Sequence, residues 1–210
     1  MIVEHNDNNS LKEFKKKDQL IIVNRKAPEE SDYFFEKLLK YPQTTTGKVR
    51  RQFAKQDIHS ILNNKTPKHI MSEPFYEKWL IDMAEVTKMF CNLLKEEAIC
   101  FWLGSNRGCK RYHVDIVPVR MLVTYAGQGT EILPDQAANR DAFINGEPNE
   151  KIVKDKLAIQ FVNKWDISLF RGGKKGILHR SPDSSKNGQS ILMRLDHFSF
   201  WDKIKSYRNQ

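Results

Sequence analysis

Apolar positions follow two rhythms along the chain, and the change between them falls close to residue 97. Before it, spacings of three and four dominate. Phe75, Trp79, Met83, Val86, Phe90 and Leu94 lie on one stripe of a helix predicted over 74–95. A shorter helix is predicted over 31–39, with Ser31 able to cap it and Pro42 ending it, and another over 51–62. The run at 19–23, with Leu20, Ile21, Ile22 and Val23 in succession, predicts a short buried strand. From Ala98 onward, short apolar or alternating runs are separated by glycine-rich turns. Strands are predicted over 98–103, 111–115, 117–125, 157–162, 167–170, 177–180 and 190–196. Gly127-Gln128-Gly129 and Arg171-Gly172-Gly173 are among the turns between them. The polar stretch 134–150 reads as a long loop. Short, evenly spaced strands of this kind predict a sandwich, jelly roll or small barrel, supported by the helices that precede it.

Composition sets bounds on this picture. The chain has 210 residues, 40% of them hydrophobic, with 12 Phe, 6 Tyr and 4 Trp. That is enough to bury a core, and the length favours one domain, over 19–210, with helical support at 19–97 and the β core at 98–210. Residues 1–18 read as a polar, disordered head. Three cysteines rule out a disulfide framework and point to a reducing compartment. No stretch is long and apolar enough for a membrane span, and the first residues lack the pattern of a secretory leader, so the expectation is a cytoplasmic protein. The net charge of +9 permits an anionic partner without naming one. Its basic clusters are Lys15-Lys16-Lys17, Lys48 with Arg50-Arg51, Arg107 with Lys110-Arg111, and Lys174-Lys175. They are interleaved with acids and match no nucleic-acid-binding motif, so a solvated surface explains them better than nucleic acid does.

Candidate chemistry lies in His113-Val114-Asp115, His179 and Arg194. Residues two apart on a strand share a face, so His113 and Asp115 would project together. With His179 folded back beside them they would form two imidazoles and one carboxylate on one face of a metal. This is the ligand set of non-haem Fe(II) oxygenases. Arg194, on the next predicted strand, could hold the far carboxylate of a dicarboxylic co-substrate, and Tyr125 and Thr124 could line the cavity. A lone His-x-Asp is weak evidence, since a chain with 6 His and 13 Asp yields about 0.4 such pairs by chance. A second pair, His5-Asn6-Asp7 followed by His69, is present but lies in the polar head and before a helix. The plainer alternative for the better set is a satisfied strand histidine, a surface acid and a cross-strand Arg194–Asp196 ion pair.

At these residues the chain resembles a known family. Cys109 to Asp115, Val119 to Glu131, Gly176 to Pro182 and Leu192 to Asp196 are similar to the signature blocks of the bacterial family called domain of unknown function 1826. The resemblance spans most of the chain, with Lys110 standing where family members usually carry Pro. It implies a role near metal homeostasis, through an association with zinc-handling GTPases, but no established reaction. The motif also resembles the 2-oxoglutarate/Fe(II) oxygenase superfamily, which implies a double-stranded β-helix (jelly-roll, cupin-like) core. It further implies a metal held by His113, Asp115 and His179, and 2-oxoglutarate anchored by Arg194. Arg194 falls later after the distal histidine than that superfamily usually places its basic residue, so Arg120 and Arg180 are alternative anchors.

Three readings follow. The first is an Fe(II)/2-oxoglutarate-dependent dioxygenase acting on a small or anionic substrate. The second is a non-catalytic metal-binding protein, in which the same ligands hold Zn²⁺; Cys109, four residues from His113, would be a soft fourth ligand for it. The third, nucleic-acid binding, rests on charge alone.

Overall fold

Two β-sheets, stacked face to face, carry the chain's alternating runs, and the helices cover the outer face of the larger one. The computed structural model describes residues 1–7, 11, 13–15 and 17–199. Of the polar head, residues 8–10, 12 and 16 lie outside the described residues, which removes part of the Lys15-Lys16-Lys17 cluster from consideration. The larger sheet contains β1 (Ile2–His5), β2 (Leu20–Val23), β3 (Thr44–Arg50), β4 (Ala98–Gly104), β5 (Val119–Ala126), β8 (Ile167–Arg171) and β10 (Ile191–His197). The smaller contains β6 (Glu131–Leu133), β7 (Gln160–Phe161) and β9 (Leu178–Arg180). Their spatial orders are β1-β2-β8-β5-β10-β4-β3 and β7-β6-β9.

Strand alternation sorts side chains between two cores. Ile21, Val23, Phe101, Met121, Val123, Tyr125, Leu169, Met193 and Leu195 face the helices. Leu20, Ile22, Leu122, Phe170 and Leu192 face the small sheet, where Ile132, Val162 and Ile177 meet them. The principal helix, α4 (Pro74–Leu94), begins on a proline at its first position and ends at Lys95 in the left-handed conformation. Its stripe of Phe75, Trp79, Met83, Val86 and Phe90 is buried against the large sheet, beside α1 (Ser31–Leu38) and α2 (Ala54–Asn63). A four-residue α3 (Lys68–Met71) precedes α4. None of the described helices is long and apolar enough to cross a membrane.

Three expectations are corrected, and one strand was not anticipated. The head is not uniformly irregular, because Ile2–His5 pairs in parallel with Leu20–Val23 at the edge of the sheet. Residues 44–50 form an antiparallel strand on β4 despite their polarity, with Thr45 and Val49 turned inward. The predicted strand at 111–115 reduces to a single bridge at His113. The predicted loop at 134–150 holds α5 (Arg140–Ile144) and the start of α6 (Asn149–Ile152). Ala137, Ala142 and Ile152 there cover the outer side of the small sheet over Leu133, Leu178 and Tyr112. After β4 the chain crosses repeatedly between layers: to His113 beside β9, back to β5, out to β6 and β7, back to β8, out to β9 and back to β10.

Candidate metal centre

His113 and His179, far apart in sequence, are direct backbone partners. Each donates its amide to the other's carbonyl at 3.0 Å, and the ring centroids stand 4.5 Å apart. Leu178 faces the outer core while His179 points the other way, between the sheets, with its ring 4.6 Å from that of Phe170. The two imidazoles share one local device. Nδ1 of His113 lies 3.1 Å from the carbonyl of Arg111, and Nδ1 of His179 lies 3.0 Å from that of Ile177. A carbonyl can only accept, so each Nδ1 carries a proton, and in the neutral ring the lone pair is on Nε2. Burial pushes the His179 pKa down to about 4, which keeps that ring neutral at ordinary pH. Burial also acts to lower that of His113. Its Cys109, Arg111 and Asp115 contacts outweigh this and leave it raised.

Asp115 completes the group. Its side chain is fully buried; Oδ1 accepts from Nη1 of Arg120, while Oδ2 has no hydrogen-bond partner and lies 3.6 Å from Nε2 of His179. An unanswered buried carboxylate oxygen is costly unless something else meets it. Among the described residues, His113, Asp115 and His179 form the one gathered set of candidate ligands, their donor atoms all within 4.8 Å of one another. Two imidazoles whose Nδ1 atoms are turned to backbone carbonyls, and one carboxylate with an unpartnered oxygen, fit a divalent cation.

The loop holding Asp115 is seated on a glycine. A Cβ on Gly172 would stand 1.8 Å from the Val117 carbonyl oxygen and 2.6 Å from that of Asp115. The next residue, Gly173, donates its amide to the Asp115 carbonyl at 2.7 Å. The variant Gly172→Ala is therefore expected to push the 115–117 loop outward. It should weaken metal binding by about 10-fold and lower stability by about 1–3 kcal/mol, read by metal titration and by denaturant unfolding.

The predicted anchors separate into two groups. Arg120, Arg180 and Arg194 line one cavity with His113 and His179. Arg120 bridges two buried acids, donating Nε to Asp196 at 2.7 Å as well as Nη1 to Asp115. Burial acts to lower its pKa, but the two carboxylates leave it raised. Arg194 pairs with Asp196 at 3.0 Å and lies over the Trp102 ring at 5.1 Å, and burial lowers its pKa. Arg180 pairs with Glu131 at 2.7 Å and lies over the Tyr112 ring. Tyr125 does not join them. On β5 it shares a face with Met121 and Val123, and its hydroxyl donates to Asp82 at 2.8 Å within the helix-side core. Strand alternation places it opposite Arg120 and Leu122. The decoy set is not assembled: His5 is on β1, and His69 is on α3 with its ring 5.3 Å from that of Tyr41.

The anticipated Arg194–Asp196 ion pair is present, along one strand and not between two, and Asp196 also fixes Arg120. Two residues of the site escaped the sequence reading: Glu131 takes bonds from Tyr112 and Arg180, and Arg107 turns into the cavity wall. Arg107 read as part of a surface cluster with Lys110 and Arg111, and no local pattern marks it as buried. Cys109 also lines the cavity; its hydrogen bond with His113 leads the effects that lower its pKa, against burial.

Fold and site together define an α+β protein with a large β-sheet and a His/Asp/His group able to hold a metal ion. The chain belongs to the family described as protein of unknown function (DUF1826), whose profile matches residues 6–196. Solved structures with a similar chain path include a BsmA homologue from Methylobium petroleophilum PM1, at 10% identity and TM-score 0.41, covering 91% of this chain and 92% of that one. AviO1 from Streptomyces viridochromogenes Tue57 is similar at 13% identity and TM-score 0.37, covering 91% and 96%. A full-length Neurospora crassa protein, solved in complex with alpha-KG, is similar at 8% identity and TM-score 0.36, covering 94% and 83%. No curated protein matches the chain.

Proposed function

We propose that this protein is an oxygenase of the Fe(II)/2-oxoglutarate-dependent type, with His113, Asp115 and His179 as the metal ligands. The observation that carries the reading is Oδ2 of Asp115, buried, unpartnered and 3.6 Å from the prepared Nε2 of His179. The repeated crossing of the chain between its two sheets supports a double-stranded β-helix of the jelly-roll kind as the scaffold.

When bound, Fe(II) would supply the redox chemistry by which O₂ converts 2-oxoglutarate to succinate and CO₂, leaving the second oxygen atom in the oxidised substrate. The chain's own residues do the rest. Arg120 occupies Oδ1 of Asp115, so one oxygen alone is left for the metal. The carbonyls of Arg111 and Ile177 fix both histidine tautomers. Leu122 and Leu192 wall the cavity against water, and Phe170 packs on the His179 ring. Arg194, on the strand after β9, pairs with the distal carboxylate of 2-oxoglutarate; its acid, Asp196, is shared with Arg120, whereas Arg120 also holds Asp115 and Arg180 holds Glu131. Replacing Arg194 with methionine is expected to raise the dissociation constant of 2-oxoglutarate about 10- to 100-fold. Anaerobic calorimetry on metal-loaded protein measures this, with metal content unchanged.

The test of the whole reading is metal analysis after anaerobic purification, followed by succinate formation from 2-oxoglutarate in air. One iron per chain and succinate matching the 2-oxoglutarate consumed support it. Tightly held zinc with no turnover supports the second reading, a non-catalytic zinc-binding role, which the Cys109 thiol beside His113 favours. None of the matched proteins supports the association with zinc-handling GTPases.

A further inference from the structure

Four guanidiniums border the cavity, those of Arg107, Arg120, Arg180 and Arg194. Three buried carboxylates answer them among the described residues. Asp115 and Asp196 lie on Arg120, Asp196 also on Arg194, and Glu131 on Arg180. Asp183, which also meets Arg180, is exposed to solvent and screened by it. Arg107 meets no carboxylate. It is 6% exposed, and its partners are both neutral: the Gln128 carbonyl on Nη1 and the Thr130 hydroxyl on Nη2, each at 2.8 Å. Its Nε has no partner at all. A buried cation with only neutral acceptors has lost its hydration without gaining a counter-charge. Burial accordingly lowers the Arg107 pKa to about 10.

A divalent metal and the 2-oxoglutarate dianion cancel each other, so loading the site leaves this balance as it was. Among the described residues, the guanidinium of this wall that meets no carboxylate is that of Arg107, whose Nε is also without a hydrogen-bond partner. We propose that Arg107 receives a carboxylate of the primary substrate, so that the molecule oxidised is a small carboxylic acid. The inference rests on the oxygenase reading and deepens it. A planar carboxylate matches the free N–H groups of a guanidinium already held by two of its nitrogens. The seat is also rigid. The residue between Gln128 and Thr130 is Gly129, where a Cβ would stand 1.7 Å from the Val162 carbonyl oxygen, so this turn is pressed against the neighbouring segment.

The test uses the full chain loaded anaerobically with Fe(II) and 2-oxoglutarate, and titrates it with butyrate, with its uncharged isostere butyramide, and with dimethyl phosphate. Thermal shift and calorimetry give the affinities. Butyrate is expected to bind at least about 10-fold more tightly than butyramide. The variant Arg107→Gln should lose that preference while its metal content and 2-oxoglutarate affinity stay within about threefold of the parent's. Arg107→Lys, which restores the charge, should recover part of the preference and guards against a folding defect in the first variant. Equal binding of butyrate and butyramide, an unchanged preference in Arg107→Gln, or tighter binding of dimethyl phosphate than of butyrate overturns the proposal. Loss of 2-oxoglutarate binding in Arg107→Gln also overturns it, by assigning this residue to the co-substrate. Failure of the parent protein to take up metal or 2-oxoglutarate is a different result, and removes the oxygenase reading itself.

Discussion

His179→Ala protein is expected to lose at least about 100-fold in divalent-metal affinity while still unfolding cooperatively. The magnitude follows from what the residue supplies. Removing groups that merely orient a metal ligand costs 10- to 100-fold, and removing the ligand itself costs more. The His179 ring is also the link between the other two donors, being 4.5 Å from the His113 ring and 3.6 Å from the Asp115 carboxylate. Its backbone contribution, the bridge to His113, does not depend on the side chain and survives the substitution. His113→Ala should behave in the same way. Metal content after anaerobic loading, alongside thermal unfolding of the same samples, measures both. Full metal retention in both variants would remove the site.

Arg120→Met is expected to be the most damaging single change to stability near the site. Arg120 holds Asp115 on one side and Asp196 on the other, and both acids are almost completely buried. Methionine fills comparable space but strands the Asp115 carboxylate in the interior and leaves Asp196 with Arg194 alone. Breaking a buried ion pair from one side costs about 3–5 kcal/mol. For a chain of this length that corresponds to a fall in Tm of about 10 °C. Adding Asp115→Asn to the variant removes the stranded charge and should restore part of the loss, so the double mutant is expected to be more stable than Arg120→Met alone. A strictly additive pair would show that Arg120 and Asp115 do not act on each other.

The parts of this protein legible in its sequence are those where one physical signal dominates. Helix α4 was readable because a single stripe from Phe75 to Phe90 must be buried, and β2 because four successive apolar residues suit a strand covered on both faces. The gathering of His113, Asp115 and His179 was readable because both histidines stand in the strand-rich half, away from the head where His5 lies. What failed was the facing of β5. Nearly all of its residues are buried, on one face by helices and on the other by the small sheet, so burial leaves no polar side to set the phase. Yet Arg120 and Tyr125 are five residues apart, and on a regular strand they could not both have lined one cavity. The polar strand β3 escaped because an edge strand needs few apolar residues to pair. Arg107 escaped for the opposite reason: charge is ordinarily solvated, and the partners that hold this residue inside, the Gln128 carbonyl and Thr130, come from a distant turn.

The reciprocal amide bonds of His113 and His179 also make the site observable without a ligand or a substrate. The two amide protons sit in one closed ring of backbone atoms joining segments sixty-six residues apart. Neither can exchange with water unless the two segments part, so both should exchange at a common rate. A metal joining their imidazoles would close a second ring around the first, and separation of the segments would then require its release. The pair of protons becomes a clock for the lifetime of the assembled centre.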